Sequence, residues 1–215
     1  MRRAVTGLVY AAVVLAAAIA PPIVFTVLVG LAGGIALGEL WALRRAGQAA
    51  VIELAVVLVG LAALLFLDAL GDTRAAHGAA TGLPVWLLLA IGATWAADVG
   101  AYAIGSVAGR RKIAPRISPG KTWEGTLGGF AAAALAVLGI SALFGLGRLD
   151  AAAAAVTIGP AAFAGDLLES WVKRRAGVKD SGRIFPGHGG MLDRIDSLVA
   201  VAILAAGQTL ASHLG

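Results

Sequence analysis

Five acidic residues stand where an apolar chain should exclude them: Asp98, Asp166, Glu169, Asp193 and Asp196. Asp193 and Asp196 are three positions apart, so on a helix both carboxylates face one side; Asp166, Glu169 and Ser170 share a face in the same way. Two helix ends can therefore aim the carboxylates of Asp166, Glu169, Asp193 and Asp196 into one pocket. Left alone, these groups repel one another and take up protons, whereas a hard divalent cation with oxygen ligands removes the repulsion. The spacing equally allows plain ion pairs with Lys173, Arg174 or Arg194. Between the acids runs KRRAGVKDSGRIFPGHGG, Lys173 to Gly190, with five cations and with glycines that let backbone amides approach phosphate oxygens. Pro186, Gly187, His188, Gly189 and Gly190 specify a tight turn just ahead of Asp193.

The elements that must position these groups are membrane helices. The chain has 215 residues, 60% of them hydrophobic and 13% charged, and a mean hydropathy of +0.90. A soluble chain carries about 25% charged residues, so a bilayer must solvate much of this one. Composition excludes disorder and collagen, and the absence of cysteine excludes a disulfide framework, a thiolate metal site and a thiol nucleophile. Seven stretches approach or reach spanning length: Val5 to Ala20, Ile23 to Leu43, Val51 to Leu67, Leu83 to Ile104, Thr126 to Leu146, Ala151 to Leu168 and Met191 to Leu210. The first, with Arg2 and Arg3 ahead of a short apolar centre, also suits a cleaved signal peptide.

The expected fold is an all-α polytopic transmembrane bundle of about seven spans with a cytoplasmic N-terminus. With that orientation only Arg74 and Arg148 among the 17 cations fall outside, as the positive-inside rule requires. The net charge of +5 then reports topology and anionic headgroups, and no nucleic-acid partner is expected. Residues 1–82 are N-terminal spans for packing, a lipid pocket or dimer contacts; residues 83–215 form a catalytic membrane region with cytoplasmic loops at 105–125 and 169–192. Alanine runs and Gly30, Gly33, Gly34 and Gly38 suit close helix packing. Asp98 lies six residues before the Ile104 end of its span, about 9 Å inside it. A charge at such depth costs about 2.5–3.5 kcal/mol. Trp41, Trp86, Trp95, Trp123 and Trp171 suit interfacial anchoring, and His77 and His213 are isolated outer-side residues.

Ser118 to Gly125 reads SPGKTWEG. Gly120, Lys121 and Thr122 match the tail of a P-loop, but the glycine that motif requires falls on Pro115, so the P-loop is rejected. A Gly-Lys turn before a span remains, with Glu124, able to touch phosphate or simply to be solvated.

Ser170 to Asp196 fits SxxKRxxxxKDxGxxxPGHGGxxDRxD without a gap, and this resembles the signature of the phosphatidate cytidylyltransferases, or CDP-diacylglycerol synthases. GDLLES from Gly165, DVGAYAIG from Asp98 and SPGKTWEG from Ser118 fit too, in the family's order, so the resemblance covers the chain from about Asp98 onward. It implies a membrane nucleotidyltransferase that joins CTP to phosphatidate, giving CDP-diacylglycerol and pyrophosphate. It also implies Mg2+ or Mn2+, with a monovalent ion such as K+ as a second cation, a homodimer, and a site on the cytoplasmic face of a bacterial inner membrane. Asp166, Asp193 and Asp196 are the metal ligands it implies, and spacing adds Glu169. Lys173 and His188 complete the expected catalytic set, His188 as a phosphate donor and not a base, because the lipid phosphate is already ionised. Substrate contacts are expected from Asp98, Ser118, Lys121, Ser170, Arg174, Lys179, Asp180, Arg183, Gly187, Gly189, Gly190 and Arg194. Family members often have about two further N-terminal spans. A transporter is the alternative class, but it favours acids near the bilayer midplane on broken helices.

Overall fold

The computed structural model describes residues 2–76, 83–185 and 189–214. Pro186, Gly187 and His188 of the signature turn, and His77, lie outside the described residues, as does the His213 side chain. In order, the helices are α1 (Arg2–Ile19), α2 (Pro22–Ala42), α3 (Gln48–Ala76), α4 (Val85–Ala108), α5 (Trp123–Phe144), α6 (Arg148–Arg175) and α7 (Leu192–Leu214), with a single 3-10 turn at Arg44–Ala46. Six of them, α2 to α7, are long and apolar enough to cross a membrane; the apolar part of α1, Val9–Ile19, is shorter.

The bundle is organised around α7, which packs against α2, α3, α4 and α6. Half of its spanning window is buried, more than in any other of the six helices. Its apolar face, including Leu198, Val199, Ala202 and Ala205, belongs to one continuous core with Val57 and Leu64 of α3 and Leu87, Ala90 and Ile91 of α4. Small residues let these helices come close, which in a bilayer replaces the hydrophobic drive to associate. A Cβ on Gly60 would meet Val199, 2.8 Å from its Cα. The α4–α5 pair is in close contact at successive turns, where a Cβ on Gly128 would stand 2.6 Å from Ile104 Cβ and one on Gly129 2.8 Å from the Ala97 carbonyl oxygen.

Four features differ from the sequence expectation. The fold is not purely helical: Lys112–Ala114 (β1) and Ser118–Thr122 (β2) pair antiparallel, so Gly120 and Lys121 lie in a strand and not in a turn. The hairpin is fixed from the helix that follows it. Thr122 caps α5 by accepting the Gly125 N–H (3.1 Å), and the Glu124 carboxylate accepts the N–H groups of Arg110 (3.0 Å) and Arg111 (3.2 Å). Second, α6 runs on to Arg175, so Glu169, Lys173 and Arg174 are helical and the loop expected from 169 begins only after Arg175; α4 likewise continues past Ile104 to Ala108. Third, of the four glycines on α2 Gly33 packs against Leu61, while a Cβ on Gly30, Gly34 or Gly38 would have no neighbour within 4 Å among the described residues. Fourth, Trp41 and Trp123 are exposed near helix ends as anchors would be, but Trp86 is buried in the core.

Gly128→Leu must force α4 and α5 apart, and overpacking of this kind costs about 1–3 kcal/mol. The purified variant in detergent should melt several degrees lower, whereas Gly207→Ala, with nothing within 4 Å, should match the parent. Equal melting of the two variants would contradict the close α4–α5 packing.

Candidate active site

A cavity of about 710 Å³ opens between α4, α6, α7 and the segment after α6. Six carboxylates line it, from Asp98, Asp166, Glu169, Asp180, Asp193 and Asp196, together with four cations, Lys173, Lys179, Arg183 and Arg194. A smaller recess of about 80 Å³ adjoins it at Asp98 and Asp166, with Lys121 and Phe163 in its lining. Lys121 reaches this wall because β2 runs beside α6: its ammonium pairs with Asp166 and lies 5.0 Å from the Phe163 ring centroid. Ser170, one turn along α6, donates to Asp166 Oδ1 (3.3 Å).

Three buried charges on α6 and α7 form one chain of ion pairs. Lys173 on α6 pairs with Glu169, one turn earlier on the same helix, and its Nζ lies 2.5 Å from Asp193 Oδ1 on α7. The side chains of Lys173, Glu169 and Asp193 are 10%, 1% and 9% exposed, so this pairing is made away from water. Of the two outcomes the spacing left open, the ion pair is the one seen for Lys173. Asp193 Oδ2 gathers three more donors: the Ser181 N–H (3.0 Å), the Ser181 hydroxyl (2.8 Å) and the Gly190 N–H (2.7 Å). Gly189 has a φ of +80°, which favours glycine, and a Cβ there would collide with the Asp193 carboxylate. Asp196, one turn on, faces the same cavity, and its Oδ1 accepts the Ser197 N–H (2.7 Å).

Of the described residues expected at the site, Ser118, Ser170 and Arg174 line neither the cavity nor the recess, although Ser170 touches Asp166. Ser118 opens β2, and Arg174 ties the hairpin to α6 by donating to the carbonyls of Ile117 (3.1 Å) and Val178 (3.0 Å). Gly190 lies behind the wall, and Gly187 and His188 are outside the described residues.

Two acids escaped the sequence reading. Glu39 of α2 accepts the N–H groups of Met191 (3.0 Å) and Leu192 (2.9 Å) and lies 3.0 Å from the Ser181 hydroxyl. Glu53 of α3 is 1% exposed, and its Oε2 has no hydrogen-bond partner among the described residues. Both are charges inside apolar helices, the same signal that singles out Asp98.

The donor set is all oxygen, which suits a hard cation. Among the described residues no three carboxylates already converge on one coordination point. Positive charge is present there as ammonium groups, Lys121 on Asp166 and Lys173 on Glu169 and Asp193.

Beside the cavity lies an apolar groove of about 280 Å³, walled by α1, α2, α3 and α7. Phe185 lines both spaces, and Tyr10 of α1 meets its ring edge-on at 6.3 Å.

Residues 73–209 match the family model described as the cytidylyltransferase family. A phosphatidate cytidylyltransferase of Brucella suis is 49% identical over 111 residues, covering 51% of this chain and 41% of the relative. Proteins of the same name from Haemophilus influenzae and Pseudomonas aeruginosa are 43% and 46% identical, covering 58% and 59% of this chain and 43% and 47% of theirs. The matched segment thus spans less than half the length of these relatives.

Breaking a buried ion pair costs about 3–5 kcal/mol, because the remaining charge is left uncompensated. Lys173→Met should therefore lower the melting temperature in detergent far more than Lys121→Met, whose pair is 19% and 35% exposed. Adding Glu169→Gln to Lys173→Met should restore part of the loss. A Lys173→Met protein as stable as the parent would show that this network does not hold α6 against α7.

Proposed function

Since this chain belongs to the cytidylyltransferase family, matched over well more than half its length, we propose that it transfers CMP from CTP to phosphatidate. In this reaction a phosphate oxygen of the lipid forms the new bond to the α-phosphorus of CTP. The bond from that phosphorus to the bridging oxygen breaks, and pyrophosphate leaves with the electron pair. The observation that carries the proposal is the contact of two unlike spaces: a cavity lined by carboxylates and cations, and an apolar groove that shares Phe185 with it. A nucleotide suits the first, and an acyl chain held beside its own phosphate suits the second.

The nucleophile is an ionised phosphate, so no strong base is required; the barrier is the approach of one polyanion to another. Lys173, Lys179, Arg183 and Arg194 line the cavity where they can neutralise phosphate oxygens and orient the groups for in-line displacement. Asp166, Glu169, Asp193 and Asp196 would hold a Mg2+ or Mn2+ ion. Such an ion supplies Lewis-acid neutralisation of the triphosphate. Glycine at 189 keeps the backbone beside Asp193 free of a side chain.

We further propose seven spans with the N-terminus in the cytoplasm of a bacterial inner membrane, which puts this cavity on the cytoplasmic side. The expectation of a homodimer belongs to the same proposal.

The purified chain should convert CTP and phosphatidate to CDP-diacylglycerol and pyrophosphate in Mg2+, fall silent in excess chelator and recover when Mg2+ is added back. Asp196→Asn should lose at least about 100-fold in rate, the range seen when one transition-state electrostatic partner is removed. Turnover unaffected by chelator would refute the metal, and no turnover with this pair of substrates would refute the reaction.

Topology has its own test, because the chain contains no cysteine. An impermeant thiol reagent applied to intact cells should label Leu149→Cys, where the native leucine is 88% exposed, and spare Val178→Cys, where the valine is 39% exposed. Labelling of Val178→Cys from outside would invert the orientation.

A further inference from the structure

Glu39 lies outside the family-matched segment, which begins at residue 73, yet its carboxylate touches the segment that joins α6 to α7 at two separate points. One is Ser181, inside the loop, whose hydroxyl lies 3.0 Å from Glu39 Oε2 and 2.8 Å from Asp193 Oδ2. The other is the start of α7, where Met191 and Leu192 donate their backbone N–H groups to Oε1 and Oε2. Those amides belong to the turn of a helix that has no partners of its own, and an anionic acceptor there also meets the positive end of the helix dipole. Glu39 thus caps α7 from a helix about 150 residues earlier in the chain.

Two glycines of the signature make room for it. A Cβ on Gly182 or on Gly190 would collide with the Glu39 carboxylate. Neither glycine has a positive φ, so space and not backbone conformation is what requires glycine there. In this chain, therefore, the space that a side chain at either glycine would fill is taken by an acid that α2 supplies.

We propose that Glu39 is a positioning residue of the active site: by clamping Ser181 and the first amides of α7, it sets Asp193 and Asp196 against the cavity. Asp193 and Asp196 sit one and four residues beyond Leu192, so any slip of the α7 start moves both carboxylates together. The N-terminal helices are thereby part of the catalytic unit. The proposal rests on the cytidylyl-transfer reading for its kinetic consequence, but the clamp itself can be measured without turnover.

The test uses the full chain with Glu39→Ala and Glu39→Gln, each with and without a nitroxide label on Ile184→Cys, an exposed loop position. At equal amounts of folded protein, Glu39→Ala should lower kcat/KM for CTP by about 10- to 100-fold, as loss of a residue that orients ligating groups does. It should also raise the Mg2+ concentration that gives half-maximal rate. Glu39→Gln, which keeps one acceptor oxygen, should fall between Glu39→Ala and the parent. The label should sharpen to a more mobile spectrum in Glu39→Ala. A purely structural glutamate would reduce the yield of folded protein and leave the KM for CTP, the Mg2+ requirement and the label spectrum unchanged, and that result would overturn the proposal. If the parent transfers no cytidylyl group but Glu39→Ala still frees the label, the clamp stands and the functional reading fails.

Discussion

The fold depends on how a lysine is enclosed between two carboxylates. Lys173 joins Glu169 of its own helix to Asp193 of the next, at a depth where neither acid meets much water. An unpaired charge there would cost more than most packing contacts return, so α6 and α7 cannot slide or rotate against one another without separating these groups. The surrounding polar contacts follow from that constraint. Asp193 is free to gather Ser181 and Gly190 because its other oxygen is already held by Lys173, and the loop between α6 and α7 folds back on that carboxylate. Core residues such as Val199 and Ala202 seal the helices below.

The sequence disclosed most of this where a single physical rule governed the outcome. Spanning helices need length and apolarity, and each of the seven apolar stretches became a helix, most with ends within four residues of the expected ones and with α3 and α6 running on past theirs to Ala76 and Arg175. Helical periodicity brought Asp166, Glu169, Asp193 and Asp196 to one cavity. What escaped depended on contacts between distant segments. Nothing local marks Ser118–Thr122 as a strand, since its partner is only three residues long and its anchor, Glu124, lies in the following helix. Glu39 was visible as a charge in an apolar helix, but its partners are more than 140 positions away. Nor does residue type alone reveal that Gly33 meets Leu61 while Gly30 and Gly34 have no such neighbour among the described residues.

Glycine has two separate uses here, and they explain why the polar loop is so rich in it. Gly189 is required by its backbone, at φ +80°, whereas Gly182 and Gly190 are required by space, because carboxylates occupy the positions their side chains would fill. The second use recurs between helices, where Gly60, Gly100 and Gly128 let neighbouring helices approach closely. Close approach thus serves packing in the apolar layer and hydrogen bonding in the polar one. The polar layer is assembled from α2, α6 and α7 jointly, and for that reason it cannot be assigned to the C-terminal half alone.

Charge in the cavity points in the same direction as its shape. Six carboxylates face four cations across the lining, and Lys121 adds a fifth cation from the side wall. Formally the site is left negative, an unfavourable place for the two phosphate-bearing substrates of the proposed reaction. On that proposal either positive charge enters with them or the lysines leave their carboxylates to meet phosphate. A divalent cation held by Asp166, Glu169 and Asp193 would do both, since it would free Lys121 and Lys173 for the incoming anions. The ammonium groups of Lys121 and Lys173 hold these acids together, and the network that stabilises the bundle is the same one that the proposed reaction would turn toward phosphate.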